Sequence, residues 1–226
     1  MVEVIVFAEG QSEEAFIKRV VAPALHSSGI YLKPQLMTTS SNGKGGAINF
    51  DRLCHNVRNT LRQYPVVYLT TFFDLYALDT GMPGLASMPK FSQPVHKAMH
   101  VESALHAALF QKLDMSRPER FIAYVQPYEL EGLFFSNTEA LSRTIPGWDR
   151  AAEALLRVRE SFETPEHIND GHATKPSARL ERLLRPSYRK VKHAPQIGQK
   201  IGLSVIVAEC PHFATWVTRL GQLQPL

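Results

Sequence analysis

Two hydrophobic periods alternate along this chain. Val2-Glu3-Val4-Ile5-Val6-Phe7-Ala8 is an almost unbroken apolar run, the pattern of a strand covered on both faces. It stops at Glu9-Gly10. Ser12 then supplies a helix N-cap, and Glu13 and Glu14 suit the positive end of the helix. Phe16, Ile17, Val20, Val21 and Leu25 give that helix one apolar face. A short extended piece is expected over residues 32–38, then a polar glycine-rich loop over 40–46. A second helix is expected over 50–63, with Leu53, Val57 and Leu61 in register. Residues 65–73 form the strongest strand signal, β-branched, aromatic and ending at Asp74. Residues 80–96 are rich in Pro, Gly and Ser and read as a long loop or lid, followed by a helix over 101–113. A further buried strand over 120–125 leads into Pro127-Tyr128-Glu129-Leu130-Glu131-Gly132. From Trp148 the strand signal ends, and helices are expected over 148–162, 177–184, 195–200, 204–208 and 212–220. Strands alternating with helices predict an α/β fold with a mainly parallel sheet over residues 1–147. A helical, basic extension over 148–226 packs on it.

Composition narrows the classes. The chain has 226 residues, 44% hydrophobic and 20% charged, which suits a folded core and argues against disorder. No apolar run reaches the roughly 18–20 residues of a membrane span. The N-terminus lacks the basic flank and cleavage site of a secretory leader, and Cys54 and Cys210 form no metal spacing. A cytoplasmic protein with two buried, reduced thiols is the expectation. Charge is uneven: residues 1–174 hold 16 Lys/Arg against 19 Asp/Glu, whereas residues 175–226 hold 9 against 2. An acidic front and a basic back suit a protein that holds a cation in one place and a polyanion nearby. A solvated basic helix face is the plainer alternative.

The candidate chemistry lies where strands end. Glu9, Asp74 and the pair Glu129/Glu131 each follow a buried strand, and parallel strands end on one edge of a sheet. Carboxylates gathered there repel one another, and a hard divalent cation, Mg²⁺ or Mn²⁺, removes that penalty. Glu13 would support them from the helix start. Taken singly, each acid has an ordinary reading: Glu9 solvated, Asp74 a turn residue, Glu129 and Glu131 helix-start acids. Residues two apart face the same way only in extended backbone, so Glu129 and Glu131 can share one ion only if the segment is not helical. Lys44, in Gly43-Lys44-Gly45-Gly46, is a candidate phosphate contact without P-loop spacing. Lys175, Arg179, Lys190 and Lys192 are candidate contacts to a nucleic-acid backbone. The nine histidines show no metal spacing, and His212, Trp148 and Trp216 read as packing residues.

Strand-Glu9-Gly10-Gln11-Ser12-Glu13 followed by a helix resembles the first motif of the Toprim domain of topoisomerases, primases and overcoming-lysogenisation-defect (OLD) nucleases. Further stretches resemble a bacterial group, the domain-of-unknown-function family 4276. They are Thr70–Tyr76, Tyr128–Ser136, Thr164–Gly171, Lys175–Leu180 and Cys210–Trp216. The resemblance implies a Toprim-like, Rossmann-like sheet, with Glu9 as general acid/base or metal ligand and Asp74 as the first aspartate of an Asp-x-Asp pair. The second aspartate is replaced by Tyr76, so Asp79, Glu129 or Glu131 is expected to supply the missing ligand. The implied activity is Mg²⁺-dependent phosphodiester hydrolysis on nucleic acid, coupled in some members to a neighbouring ATPase in phage defence. The alternative is an inactive Toprim-like module that serves as the partner or sensor subunit of an ATPase.

Overall fold

Five strands pair in parallel, in the order β2-β1-β3-β4, with β5 also on β3. They are β1 (Val2–Ala8), β2 (Ile30–Leu36), β3 (Tyr68–Asp74), β4 (Phe121–Ile122) and β5 (Val125–Gln126). The structure is a computed structural model and describes residues 1–37, 48–90, 93–169, 171 and 173–226. Lys44 with its glycine loop, and His172, lie outside them.

Side-chain alternation sends the two faces of the sheet into separate cores. Ile5 and Phe7 of β1, with Leu69 and Phe73 of β3, pack under the helices α3 (Phe50–Gln63) and α4 (Pro94–Leu113). Val2, Val4 and Val6, with Tyr68 and Phe72, face the opposite core. That second core is shared with the C-terminal part of the chain, including Trp148, Ile197, Phe213 and Trp216. An aromatic stack holds it together: Phe16 lies 6.0 Å from Phe72, and Tyr124 lies 4.8 Å from Trp216. Trp148 and Trp216 are buried, and both cysteines are buried and free. No described helix is long and apolar enough to cross a membrane.

Three local expectations change. The strand expected over 120–125 is broken into β4 and β5, because the hydroxyls of β3 replace part of the ladder. Thr70 donates to the Ile122 carbonyl (2.7 Å), while Thr71 accepts from the Tyr124 N–H (2.9 Å) and donates to its carbonyl (2.8 Å). The expected 80–96 loop is shorter than its composition suggests: Pro94 begins α4, as proline at the first helical turn can. The helix expected to start at Pro195 starts at Lys190, so Pro195 lies inside α8 (Lys190–Ile201).

The remaining helices complete the second core's cover. After β1 the chain forms α1 (Gln11–Phe16), a π turn over Ile17–Val21 and α2 (Ala22–Leu25). Pro23 can donate no N–H to the turn before it, which suits the wider π spacing. Beyond β5 a 3₁₀ segment, Leu130–Asn137, leads to α5 (Thr138–Ser142), α6 (Ala152–Glu160) and α7 (Pro176–Leu183). After α8 come α9 (Leu203–Glu209) and α10 (Pro211–Gly221). α8 lies close on the first helix, because a Cβ on Gly198 would meet the Phe16 ring at 2.8 Å. That close approach brings the N-terminus of α8 to the C-terminal edge of the sheet.

Candidate functional site

The chain steps from β1 outward to β2 and then crosses back past β1 to β3, so strand order reverses between β1 and β3. Ligands of open α/β sheets bind at the C-terminal side of such a switch point. Ala8 pairs with Phe72, which places Glu9 just past the tip of β1 and Asp74 at the tip of β3 on neighbouring strands.

Lys190, at the first turn of α8, enters this edge. Its Nζ lies 3.1 Å from Glu13 Oε1, 3.3 Å from Asp74 Oδ2 and 3.6 Å from Glu131 Oε2. Glu13, Asp74 and Glu131 are buried, whereas the Lys190 side chain is 35% exposed. Asp74 Oδ1 also accepts the Leu130 N–H (2.9 Å), tying the tip of β3 to the 3₁₀ segment. Glu131 Oε1 accepts the Tyr188 hydroxyl (3.0 Å), and Ser12 donates to the Glu13 carboxylate (3.0 Å). Among the described residues, two buried side-chain oxygens receive no hydrogen bond, Glu9 Oε2 and Glu131 Oε2. The chain thus assembles three carboxylates in contact with one ammonium, with Glu9 close enough to feel its charge.

Electrostatics follow from that count. Burial, with the Glu13 charge, pushes the Glu9 carboxyl up to about 7, and Lys190 only partly offsets this. Burial likewise lifts Glu131 to about 7 against the pull of Lys190. Asp74 is raised by burial and by its acidic neighbours. Burial opposes the charge of Lys190, but Asp74, Glu131, Glu13 and Glu9 outweigh it and hold the ammonium protonated. Protons in such a group belong to the group as a whole.

The structure therefore brings together Glu9, Asp74, Glu131, Glu13 and Lys190. It does not bring Glu129 into the cluster. Glu129 is extended (φ −147°), and the 3₁₀ segment begins at Leu130, so the two acids diverge. Glu129 Oε1 binds Lys175 (2.7 Å), and Oε2 accepts the Ser177 N–H (3.0 Å) at the start of α7. Burial raises its pKa, but Lys175 and Ser177 prevail and hold it below the usual carboxylate value. Asp79 does not join the cluster, and its Oδ1 accepts the Gly81 N–H (2.9 Å) within its own turn. Lys175 is committed to Glu129. Arg179 donates to the Thr174 carbonyl and lies over the Phe162 ring. Lys192 is exposed. His193, at the start of α8, is buried edge-on against Trp148 (5.0 Å).

Gly10, and not Ser12 as the sequence suggests, caps the start of α1. Its backbone is extended (φ −144°), which any residue adopts, but a Cβ there would stand 3.0 Å from Glu13 Oε2. The glycine makes room for the Glu13 carboxylate. Sequence reasoning gave Glu13 a supporting part only, and missed Tyr188. The signal for Glu13 was its place in the first turn after a strand tip. Tyr188 carried none beyond lying two residues before Lys190.

Among the described residues, no three or more His, Cys, Asp or Glu side chains form a ready metal cage. The donor set near Lys190 is nonetheless all carboxylate, and two of its oxygens lack donors, which is the chemistry a hard cation satisfies.

No curated protein and no solved structure shows significant similarity to this chain. One family model does match, the domain of unknown function DUF4276, over residues 8–221. That span begins one residue before Glu9 and contains every member of the carboxylate–lysine cluster, and the chain belongs to the DUF4276 family.

Proposed function

We propose that the chain is a Mg²⁺- or Mn²⁺-dependent, Toprim-like phosphodiesterase of the cytoplasm acting on nucleic acid. The observation that carries this reading is the convergence of Glu13, Asp74 and Glu131 on Lys190 at the β1/β3 switch point, beside an electrostatically linked Glu9, with one oxygen each of Glu9 and Glu131 buried without a hydrogen bond. Asp74 and Glu131 are the residues that would hold the cation, which leaves the Glu9 carboxyl for proton transfer. Mg²⁺ sites use one or two carboxylates and complete their shell with water and substrate phosphate, so a closed protein cage is not required. Bound there, the ion would polarise the phosphoryl oxygens.

The chain's own groups supply the rest. Glu9 has a carboxyl near 7, matched to proton transfer at neutral pH, and Oε2 is its unbonded atom. It would take the proton of the attacking water. The Lys190 ammonium, fixed in its charged form, would balance charge building on the phosphoryl oxygens. Exposed Arg189 and Lys192, flanking Lys190 in sequence, would meet the backbone of the polymer.

A second reading rests on Lys190 itself. If its ammonium is the resident counter-ion, the cluster is a structural centre, and the chain is an inactive partner or sensor subunit of an ATPase. The deciding assay incubates the protein with supercoiled, linear and single-stranded DNA and with RNA, plus Mg²⁺ or Mn²⁺. Metal-dependent cleavage lost in Glu9→Gln and Asp74→Asn is the expected result. Cleavage that survives both substitutions would sink the catalytic assignment.

A further inference from the structure

The opposite end of the sheet carries a second charged constellation. The last turns of α3 and α4 and the 114–120 turn enclose a cavity of about 210 Å³. Arg58, Arg62, Arg117 and Arg120 line it, with Leu61 and Met115 as apolar wall. It lies where β3 and β4 begin, away from Glu9 and Asp74 at the ends of their strands.

The guanidinium groups there are only partly used. Arg120 donates Nε to the Val67 carbonyl (3.1 Å) and Nη2 to the Tyr64 carbonyl (2.6 Å). Arg117 donates Nε to Glu119 (2.8 Å) on the exposed rim. Arg58 and Arg62, one helical turn apart on α3, are exposed and make no ion pair among the described residues. Asp114 is the one carboxylate on the cavity wall. Burial and the charge of Arg117 both disfavour the Arg120 cation. The helix dipole accounts for a cation in the last turn of α3, Arg62, but not for Arg117 and Arg120, which follow α4 in the chain.

We propose that this cavity binds a small phosphomonoester, its dianionic phosphate gripped by the free guanidinium donors and its organic part laid against Leu61 and Met115. Guanidinium forks match phosphate oxygens in pairs, and a phosphomonoester carries about two charges at pH 7. Four guanidinium groups line one pocket of about 210 Å³, a volume for a small molecule and not for a polymer.

The test is calorimetric titration of the full chain with ribose 5-phosphate, a nucleoside 5′-monophosphate and a 5′-phosphorylated oligonucleotide. It compares wild type, Arg58→Ala and the double variant Arg62→Ala/Arg117→Ala. Arg120 stays intact because it bonds two backbone carbonyls. A small phosphomonoester is expected to bind wild type and to lose about tenfold or more in affinity in the double variant, with a smaller loss in Arg58→Ala. The unfolding midpoint without ligand is expected to stay unchanged. Should the double variant fail to fold, the Arg58→Ala affinity decides. Small phosphomonoesters that fail to bind wild type, bind the variants equally well, or are outdone by an oligonucleotide held at the same arginines would overturn the assignment. Nuclease activity plays no part in this readout, so the proposal stands or falls separately from the strand-tip cluster.

Discussion

Glu129 and Glu131 are two residues apart and both buried, yet they meet opposite fates. Glu129 faces the start of α7, where Lys175 and the Ser177 N–H use both its oxygens, and its pKa falls. Glu131 faces the sheet edge, shares one lysine with three other acids, keeps Oε2 without a donor, and its carboxyl rises to about 7. Glu166 shares the hydrogen bonding of Glu129, its two oxygens accepting the His212 and Phe213 N–H groups (both 2.9 Å) at the start of α10, although with no lysine beside it burial still raises its carboxyl. The fold therefore satisfies buried carboxylates at helix starts and leaves those at the β1/β3 edge in deficit. Such a deficit costs stability and is the mark of a site built for something else to enter.

The comparison can be broken first by deletion. Glu129→Ala removes a buried, doubly bonded carboxylate and strands Lys175, and is expected to lower unfolding free energy in urea by about 3 kcal/mol. Lys190→Met leaves four carboxylates without a cation. After discounting for the partial exposure of Lys190, it is expected to cost about 2 kcal/mol at pH 8, with the loss shrinking as pH falls. Glu131→Gln should do the reverse of Glu129→Ala, leaving stability unchanged or raising it by about 1 kcal/mol, because it removes one repelling charge. A loss equal to that of Glu129→Ala would place Glu131 among the structural acids.

Acid sensitivity sharpens the same contrast. Glu9 and Glu131 have folded values near 7 against an ordinary 4.5, so the folded state holds more protons than the unfolded state between those values. Their contribution is complete below pH 4.5 and is lost as pH rises through 7. Glu129 has a depressed value, so its contribution is present above 4.5 and is lost as pH falls below it. Urea midpoints of Glu9→Gln/Glu131→Gln across this range should decline less toward neutral pH, the remainder coming from Asp74, while Glu129→Ala should flatten the acid limb alone. The smallest expected effect is that of Gly10→Ala, whose methyl would press on Glu13 Oε2 and shift the midpoint by well under 1 kcal/mol.

The parallel sheet was legible because β1 and β3 are nearly continuous apolar runs, and Glu9 and Asp74 were legible as the first polar residues to end them. Lys190 was named only as one basic residue among several. Its place depends on α8 beginning five residues before Pro195, and on the Gly198–Phe16 contact, which joins positions far apart in sequence. The split of Glu129 from Glu131 depends on where one 3₁₀ turn begins. That start is marked by Tyr128 at φ 62°, a left-handed conformation that its sequence neighbours do not announce.

A strand-tip deficit that is a cation site must show itself in Mn²⁺ calorimetry on the full chain. Wild type is predicted to bind Mn²⁺ at pH 7.5 with release of protons and to bind more weakly at pH 5.5. Asp74→Asn is predicted to lose that binding, while Glu129→Ala, where it folds, is predicted to keep it. Wild type without measurable Mn²⁺ binding, or binding that survives Asp74→Asn, would contradict the account and leave Lys190 as the cluster's only cation.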